Sequence, residues 1–210
     1  MLSTGALHMK KTFILFFLVL SSQAFALDAT KCTSEEFSTL GSAHELAKSY
    51  IEKAHEILEK DKSPLIALGF KKYFNVDYHS ADHEKYVNKV KGMMFRLWDN
   101  VGRVRYKCAS NSGLYCSPGI LALVPPLSRI QVCPSYFSRN FEKQVGTLIH
   151  EWGHRWGFFR LKYIFEKYCD ETVGADASVL TLQPDSYMLF TYYLATDGRG
   201  IACFKVEDRQ

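Results

Sequence analysis

Apolar side chains recur at helical spacing through much of the first half of the chain. A capping-box sequence that begins at Thr33 predicts a first helix, which ends between Lys60 and Ser63. Ser63 followed by Pro64 predicts the start of a second helix, and Ser80 predicts the start of a third. Each helix has an apolar stripe on one side only, so the three helices need a common partner to cover these stripes.

After Val101 the pattern changes to short alternating or apolar runs. Three segments are predicted to be short strands: Arg103–Cys108, Ile120–Val124 and Ile130–Cys133. Pro125 follows the second of them directly, which is typical of an edge strand, where a missing N–H is tolerated. No linker separates the strands from the helices. We therefore predict one α+β domain that is mainly helical and contains a small antiparallel sheet.

A further helix is predicted from about Phe141 to Phe159, with Asn140 as its N-cap, and it carries the sequence GTLIHEWGH. At about 100° per residue, one face of this helix is apolar. That face comprises Val145, Leu148, Ile149, Trp152, Trp156 and Phe159. His150 and His154 lie one turn apart on nearly the opposite face, and Glu151 lies about a third of a turn beside them.

This H-E-x-x-H arrangement suits a zinc site. Two imidazoles at i and i+4 can bind one ion, each nitrogen about 2.0–2.1 Å away. Glu151 is turned aside from the ion, so it can act as general base toward water held there. The other interpretation, a solvated helix with two surface histidines, leaves the apolar backing face unexplained. We therefore predict a catalytic site with one zinc ion, bound by His150 and His154.

A catalytic zinc ion takes three protein ligands and leaves the fourth position open. Downstream candidates for the third ligand are Glu166, Asp170, Glu171 and Asp176. Spacing alone leaves Asp170 and Glu171 as equal alternatives.

The other histidines are predicted to be structural or solvated. His79 and His83 also stand four apart, but no glutamate follows the first of them, and they lie at a helix start, where polar residues are common. His44 and His55 are assigned to a charged helix face without a function.

The first 26 residues are typical of a secretory signal peptide. Lys10 and Lys11 precede the apolar run Thr12–Leu20, which is too short to cross a bilayer, and cleavage is expected after Ala26. The mature domain is then 27–210, secreted or periplasmic, with no membrane segment. Without Lys10 and Lys11 of the signal peptide, the chain has 24 basic and 22 acidic side chains, a net charge of about +2. This small charge gives no electrostatic reason to expect binding to nucleic acid.

Six cysteines lie in the mature part, and an even number in an exported chain predicts disulfides. They are Cys32, Cys108, Cys116, Cys133, Cys169 and Cys203. No two of them form C-x-x-C, which argues against a cysteine zinc cluster.

The strand Ile130–Cys133, followed by Phe137 and GTLIHEWGH, resembles the deuterolysin or aspzincin metallopeptidases, and most closely their peptidyl-lysine metalloendopeptidase branch. The resemblance implies a zincin-like domain that acts on protein or peptide substrates. We expect the chain to be a monomer. It also implies that the segment Leu121–Pro125 is an edge strand bordering the active-site cleft, with substrate lying extended along it. Leu123 is thus a predicted substrate contact.

The family's third ligand is the aspartate of G-T-x-D-x-x-Y-G, and the stretch that begins at Lys167 matches this motif with Asp170 and Gly174 in register. The resemblance therefore favours Asp170 over Glu171. Val173 replaces the family's tyrosine, which donates to the developing oxyanion; losing such a donor costs about 100–1,000-fold in rate. Tyr168 and Tyr187 are the candidate replacements.

The resemblance also implies other pairings and contacts. Asp185 matches one of two acids that give the family its lysine preference, whereas Met188 replaces the second. Asp185 is equally well explained as the N-cap of the last helix.

The family pattern implies the disulfides Cys32–Cys108 and Cys116–Cys133. Elimination then leaves Cys169–Cys203.

The sequence therefore predicts a secreted zinc endopeptidase with a preference for Lys-containing sites. Two alternatives remain open: a zinc hydrolase of cell-wall peptides, and a toxin-like or metal-binding interaction domain with weak catalysis, which the missing tyrosine would explain.

Overall fold

The computed structural model describes residues 27–110, 116–117, 119–125, 128–157 and 175–200. The helices are α1 (Ser34–Lys60), α2 (Pro64–Phe74), α3 (Glu84–Asn100), α4 (Pro134–Phe137), α5 (Phe141–Trp156), α6 (Ala177–Leu180) and α7 (Pro184–Ala195). The strands are β1 (Asp28–Thr30), β2 (Arg105–Cys108), β3 (Ala122–Leu123) and β4 (Ile130–Val132). The prediction of a mainly helical α+β domain is confirmed. Within the described ranges, no helix is long and apolar enough to cross a bilayer.

The predicted helix starts are confirmed for α1 and α2. The Thr33 N–H donates to Glu36 Oε2 at 2.8 Å, and the Glu36 N–H donates to Thr33 Oγ1 at 3.2 Å, which completes the capping box. Ser63 caps α2 through its side chain, and Pro64 is the first helical residue. Ser80 instead precedes a short 3₁₀ turn without capping it through its side chain, so that α3 begins only at Glu84.

Helix α7 is the partner shared by α1, α2 and α5, whereas α3 packs mainly against α1. All of its residues except Asp185 are buried, and it packs against α1, α2 and α5. Gly69 lets α2 approach closely, since a Cβ at this position would lie 2.6 Å from the Phe190 ring. The hydrophobic core therefore surrounds α7 on all sides, which is what a helix apolar all round its axis requires.

The sheet is mixed, and the predicted antiparallel arrangement is wrong for two of its pairings. Its strand order is β1-β2-β4-β3; β1 and β2 are parallel, β2 and β4 are parallel, and only β3 runs antiparallel to β4. Helices α1–α3 lie between β1 and β2 and return the chain to the same end of the sheet, which is the crossover that parallel strands need. The position of β3 at the edge agrees with the prediction, although it is shorter than predicted.

Two disulfides form as predicted. Cys32–Cys108 ties the start of α1 to the end of β2, and Cys116–Cys133 ties the segment before β3 to the end of β4. Cys169 and Cys203 lie outside the described residues, and so does the predicted signal peptide.

Candidate metal centre

Helix α5 begins as predicted and ends slightly earlier. The Lys143 N–H donates to the Asn140 side chain at 2.9 Å, which caps the helix, and its last residue is Trp156. The predicted apolar face is fully buried over its first three turns, at Val145, Leu148, Ile149 and Trp152. The opposite face is also covered, because His150 is 9% exposed and Glu151 is 5% exposed. The polar face of the helix is thus inside the protein, which a solvated surface helix would not show.

The two motif histidines point at each other. His150 Nε2 and His154 Nε2 are 3.0 Å apart, and the ring planes meet at 72°. Two nitrogens bound to one tetrahedral zinc ion, each about 2.0–2.1 Å from it, would be about 3.4 Å apart. A shared ion or a shared proton satisfies the pair at this separation. A shift of a few tenths of an ångström is enough to accommodate the ion, so these two nitrogens fit two of the ligand positions of zinc.

Asp185 approaches His150 from the other side of the ring. Its Oδ1 is 2.6 Å from His150 Nδ1, and both side chains are largely buried, at 15% and 11% exposure. The sequence offered Asp185 as an N-cap, but the structure has Gln183 in that position. Since Asp185 lies on the Nδ1 side, it cannot bind the same ion as His150 Nε2 in this arrangement.

The charges in this site shift two pKa values. Burial disfavours the charged form of His150, but the carboxylates of Asp185 and Glu151 outweigh this effect, so the pKa of His150 is raised. Burial raises the pKa of Glu151 to about 7, with His150 lowering it and Asp185 raising it. Within the described part of the chain, Glu151 Oε2 has no hydrogen-bond partner. A cation held by the two histidines would draw the pKa of Glu151 down, toward the carboxylate form that accepts protons.

The predicted third ligand lies outside the described residues, as do its alternatives Glu171 and Glu166. Asp176 is described, and it is exposed at the N-cap of α6. In the ranges that the structure covers, no three His, Cys, Asp or Glu side chains are grouped to hold a metal ion.

Behind α5, a buried polar chain links three elements. The Trp152 indole N–H donates to the Tyr106 hydroxyl at 2.9 Å, and this hydroxyl is 2.9 Å from His44 Nδ1. The assignment of His44 to a charged surface is therefore wrong, because it is only 8% exposed. The sequence spacing indicates this burial, because His44 is four residues after Leu40 and three before Ala47, which places it on the apolar stripe of α1.

The other predicted histidine positions differ in outcome. His79 is exposed, as predicted for a surface position, and the His83 ring accepts a hydrogen bond from the Asp77 N–H at 2.8 Å, which stabilises the turn before α3. His55, which the sequence assigns to a charged helix face, lies 3.8 Å from Glu59 but is partly buried, and its ring stacks on Trp98 with ring centroids 4.4 Å apart.

Strand β3 supplies the predicted edge beside α5. Leu123 pairs with Gln131 of β4 and is partly exposed, and β3 also contacts α5. Within the described residues β3 has one strand neighbour, β4.

No family model matches this sequence, and neither does any curated protein sequence. Among solved structures, a zinc peptidase from Grifola frondosa is similar, with a TM-score of 0.61 and 18% sequence identity. The match covers 81% of this chain and 100% of that one. At this level of identity the similarity establishes the fold, and the chain therefore shares its fold with a zinc peptidase.

Proposed function

We propose that this chain is an exported zinc endopeptidase of the aspzincin type. The observation that carries the proposal is the pair of His150 and His154 Nε2 atoms, 3.0 Å apart beside a buried glutamate. The fold shared with a zinc peptidase supports it. Export is supported by the two disulfides and by the leader sequence.

Three residues are proposed to hold the ion: His150 and His154 through Nε2, and Asp170, with Glu171 as the alternative. When bound, zinc supplies Lewis-acid chemistry, which polarises a peptide carbonyl and makes water a nucleophile near pH 7.

Glu151 is the proposed general base. It takes a proton from the water that attacks the peptide carbonyl, and then gives that proton to the leaving amine. Its burial and its Oε2 atom suit this role, since the side chain is largely shielded from bulk water and Oε2 has no hydrogen-bond partner among the described residues.

Strand β3 is the proposed docking edge for substrate. An extended peptide would add beside Ala122 and Leu123, with main-chain hydrogen bonds supplying affinity and the partly exposed Leu123 contacting a substrate side chain. This geometry requires an extended segment, so denatured proteins are expected to be cleaved in preference to folded ones.

The change Glu151→Gln tests the proposal. Without a proton acceptor, cleavage of a denatured protein should fall by about 100- to 10,000-fold, while bound zinc stays at the wild-type level. Glu142→Gln is the matched control, since Glu142 is an exposed residue of the same helix, and it should leave both quantities unchanged.

Two results would contradict the proposal: cleavage by the Glu151→Gln protein at the wild-type rate, or zinc-loaded wild-type protein that leaves denatured protein intact. Purified peptidoglycan, assayed in parallel, separates the cell-wall alternative, because that enzyme would release peptides from it and spare the protein.

A further inference from the structure

We propose that Asp185 is a positioning residue for His150 rather than a receptor for substrate lysine. The inference rests on the proposed metal site, and it concerns the substrate preference and metal affinity of that site. Its basis is the contact between Asp185 Oδ1 and His150 Nδ1 at 2.6 Å.

The contact fixes the state of the imidazole. A carboxylate beside Nδ1 accepts the proton there, so the neutral ring carries its lone pair on Nε2. In this orientation Nε2 faces His154 Nε2 at 3.0 Å. Without Asp185, the ring could rotate or carry its proton on Nε2, and either change removes a ligand from the centre.

The location of Asp185 suits a rigid support. It lies in the first turn of α7, a helix that packs against α5, and its side chain is 15% exposed. The two helices are tied together farther along, where the Tyr192 hydroxyl donates to the Glu142 carbonyl at 2.9 Å. Carboxylates that accept from metal-binding histidines commonly raise metal affinity, and removing one typically costs about 10- to 100-fold.

The same contact argues against a lysine receptor. One carboxylate oxygen of Asp185 is engaged by His150, and the side chain is only 15% exposed. Met188, at the place where the resemblance implies a second acid, is buried at 4% exposure and carries no charge. A substrate ammonium group would have to compete with His150 for a single carboxylate. We therefore expect no strict preference for lysine in the substrate.

The test is the isosteric change Asp185→Asn, with Asp197→Asn as control, because Asp197 is 71% exposed and lies just beyond the other end of α7. Zinc affinity is measured by competition with a chromogenic chelator. The tautomer of His150 is read from ¹⁵N NMR of the metal-free proteins, and cleavage is measured on peptides that differ only in Lys or Leu beside the cut bond.

We expect Asp185→Asn to weaken zinc binding by about 10- to 100-fold and to lose the Nδ1–H tautomer of His150, with the ratio of Lys to Leu cleavage unchanged. Asp197→Asn should match wild type in all three. If Asp185→Asn fails to fold, Asp185→Glu replaces it in the test. This variant keeps the negative charge on a longer side chain, so it should show the wild-type tautomer of His150 and a zinc affinity between that of wild type and that expected for Asp185→Asn.

Wild-type zinc affinity and an unchanged tautomer in Asp185→Asn would overturn the inference. So would a wild-type preference for lysine that this variant loses, because Asp185 would then be the substrate receptor. Failure of the proposed function is distinguishable, since in that case the wild-type protein itself would bind no zinc or cleave no peptide.

Discussion

His44 shows how one buried polar side chain can link three elements. In its neutral form the ring accepts at Nδ1 from the Tyr106 hydroxyl, which in turn accepts from Trp152 of α5. Protonation would place a donor at Nδ1 and leave the Tyr106 proton without an acceptor among these partners. Burial is the main cause that lowers the pKa of His44; Glu45 raises it and Lys48 lowers it.

A pH dependence of stability follows from this shift. The folded pKa of His44 is below the unfolded value of about 6.5, so the unfolded state binds more protons as the pH falls. Neutral His44 makes its full contribution to the free energy of unfolding above about pH 6.5. Below that pH the contribution is lost, by at most about 1.4 kcal/mol for each pH unit. The free energy of unfolding in urea, measured at pH 7.5 and pH 5, should therefore fall more for wild type than for His44→Gln. An equal fall in both proteins would contradict the account, since metal-ligand titration is common to both.

At the scale of elements, α7 is the helix around which α1, α2 and α5 pack. A helix that is apolar all round must be covered on all sides, and α1, α2 and α5 provide this cover. Capping sequences predicted α1, α2 and α5 because a cap is a local hydrogen bond between neighbours. The apolar sequence of α7 indicates burial, but not which helices cover it, since two of its partners, α1 and α2, lie more than 100 residues earlier in the chain.

The contact between α2 and α7 gives a prediction with a matched control. Gly69→Ala should destabilise the protein by about 1–3 kcal/mol, because the new Cβ would lie 2.6 Å from Phe190 and force the ring to move. Gly92→Ala in α3 has nothing within 4 Å of the new Cβ, so only helix propensity acts, and it should stabilise by about 0.5–1 kcal/mol. Urea unfolding of both variants measures these free energies. A stabilising effect at Gly69 would show that the two helices are not in close contact.

At the scale of the whole molecule, the sequence predicts the parts better than their assembly. The H-E-x-x-H helix and two disulfides were predictable from spacing and from the family resemblance. The strand directions were not, because they depend on which way the helical crossovers return the chain. The contact between Asp185 and His150 was also not predictable, since 35 residues separate them and only the packing of α7 on α5 brings them together.

The central claim is that one zinc ion is bound between α5 and an acidic residue farther along the chain. The most direct measurement is elemental analysis of the purified mature protein and of its His154→Ala, Asp170→Ala and Glu171→Ala variants. We predict one zinc ion per wild-type chain, lost in His154→Ala and Asp170→Ala and retained in Glu171→Ala. Wild-type protein without zinc, or His154→Ala with its full zinc content, would contradict it.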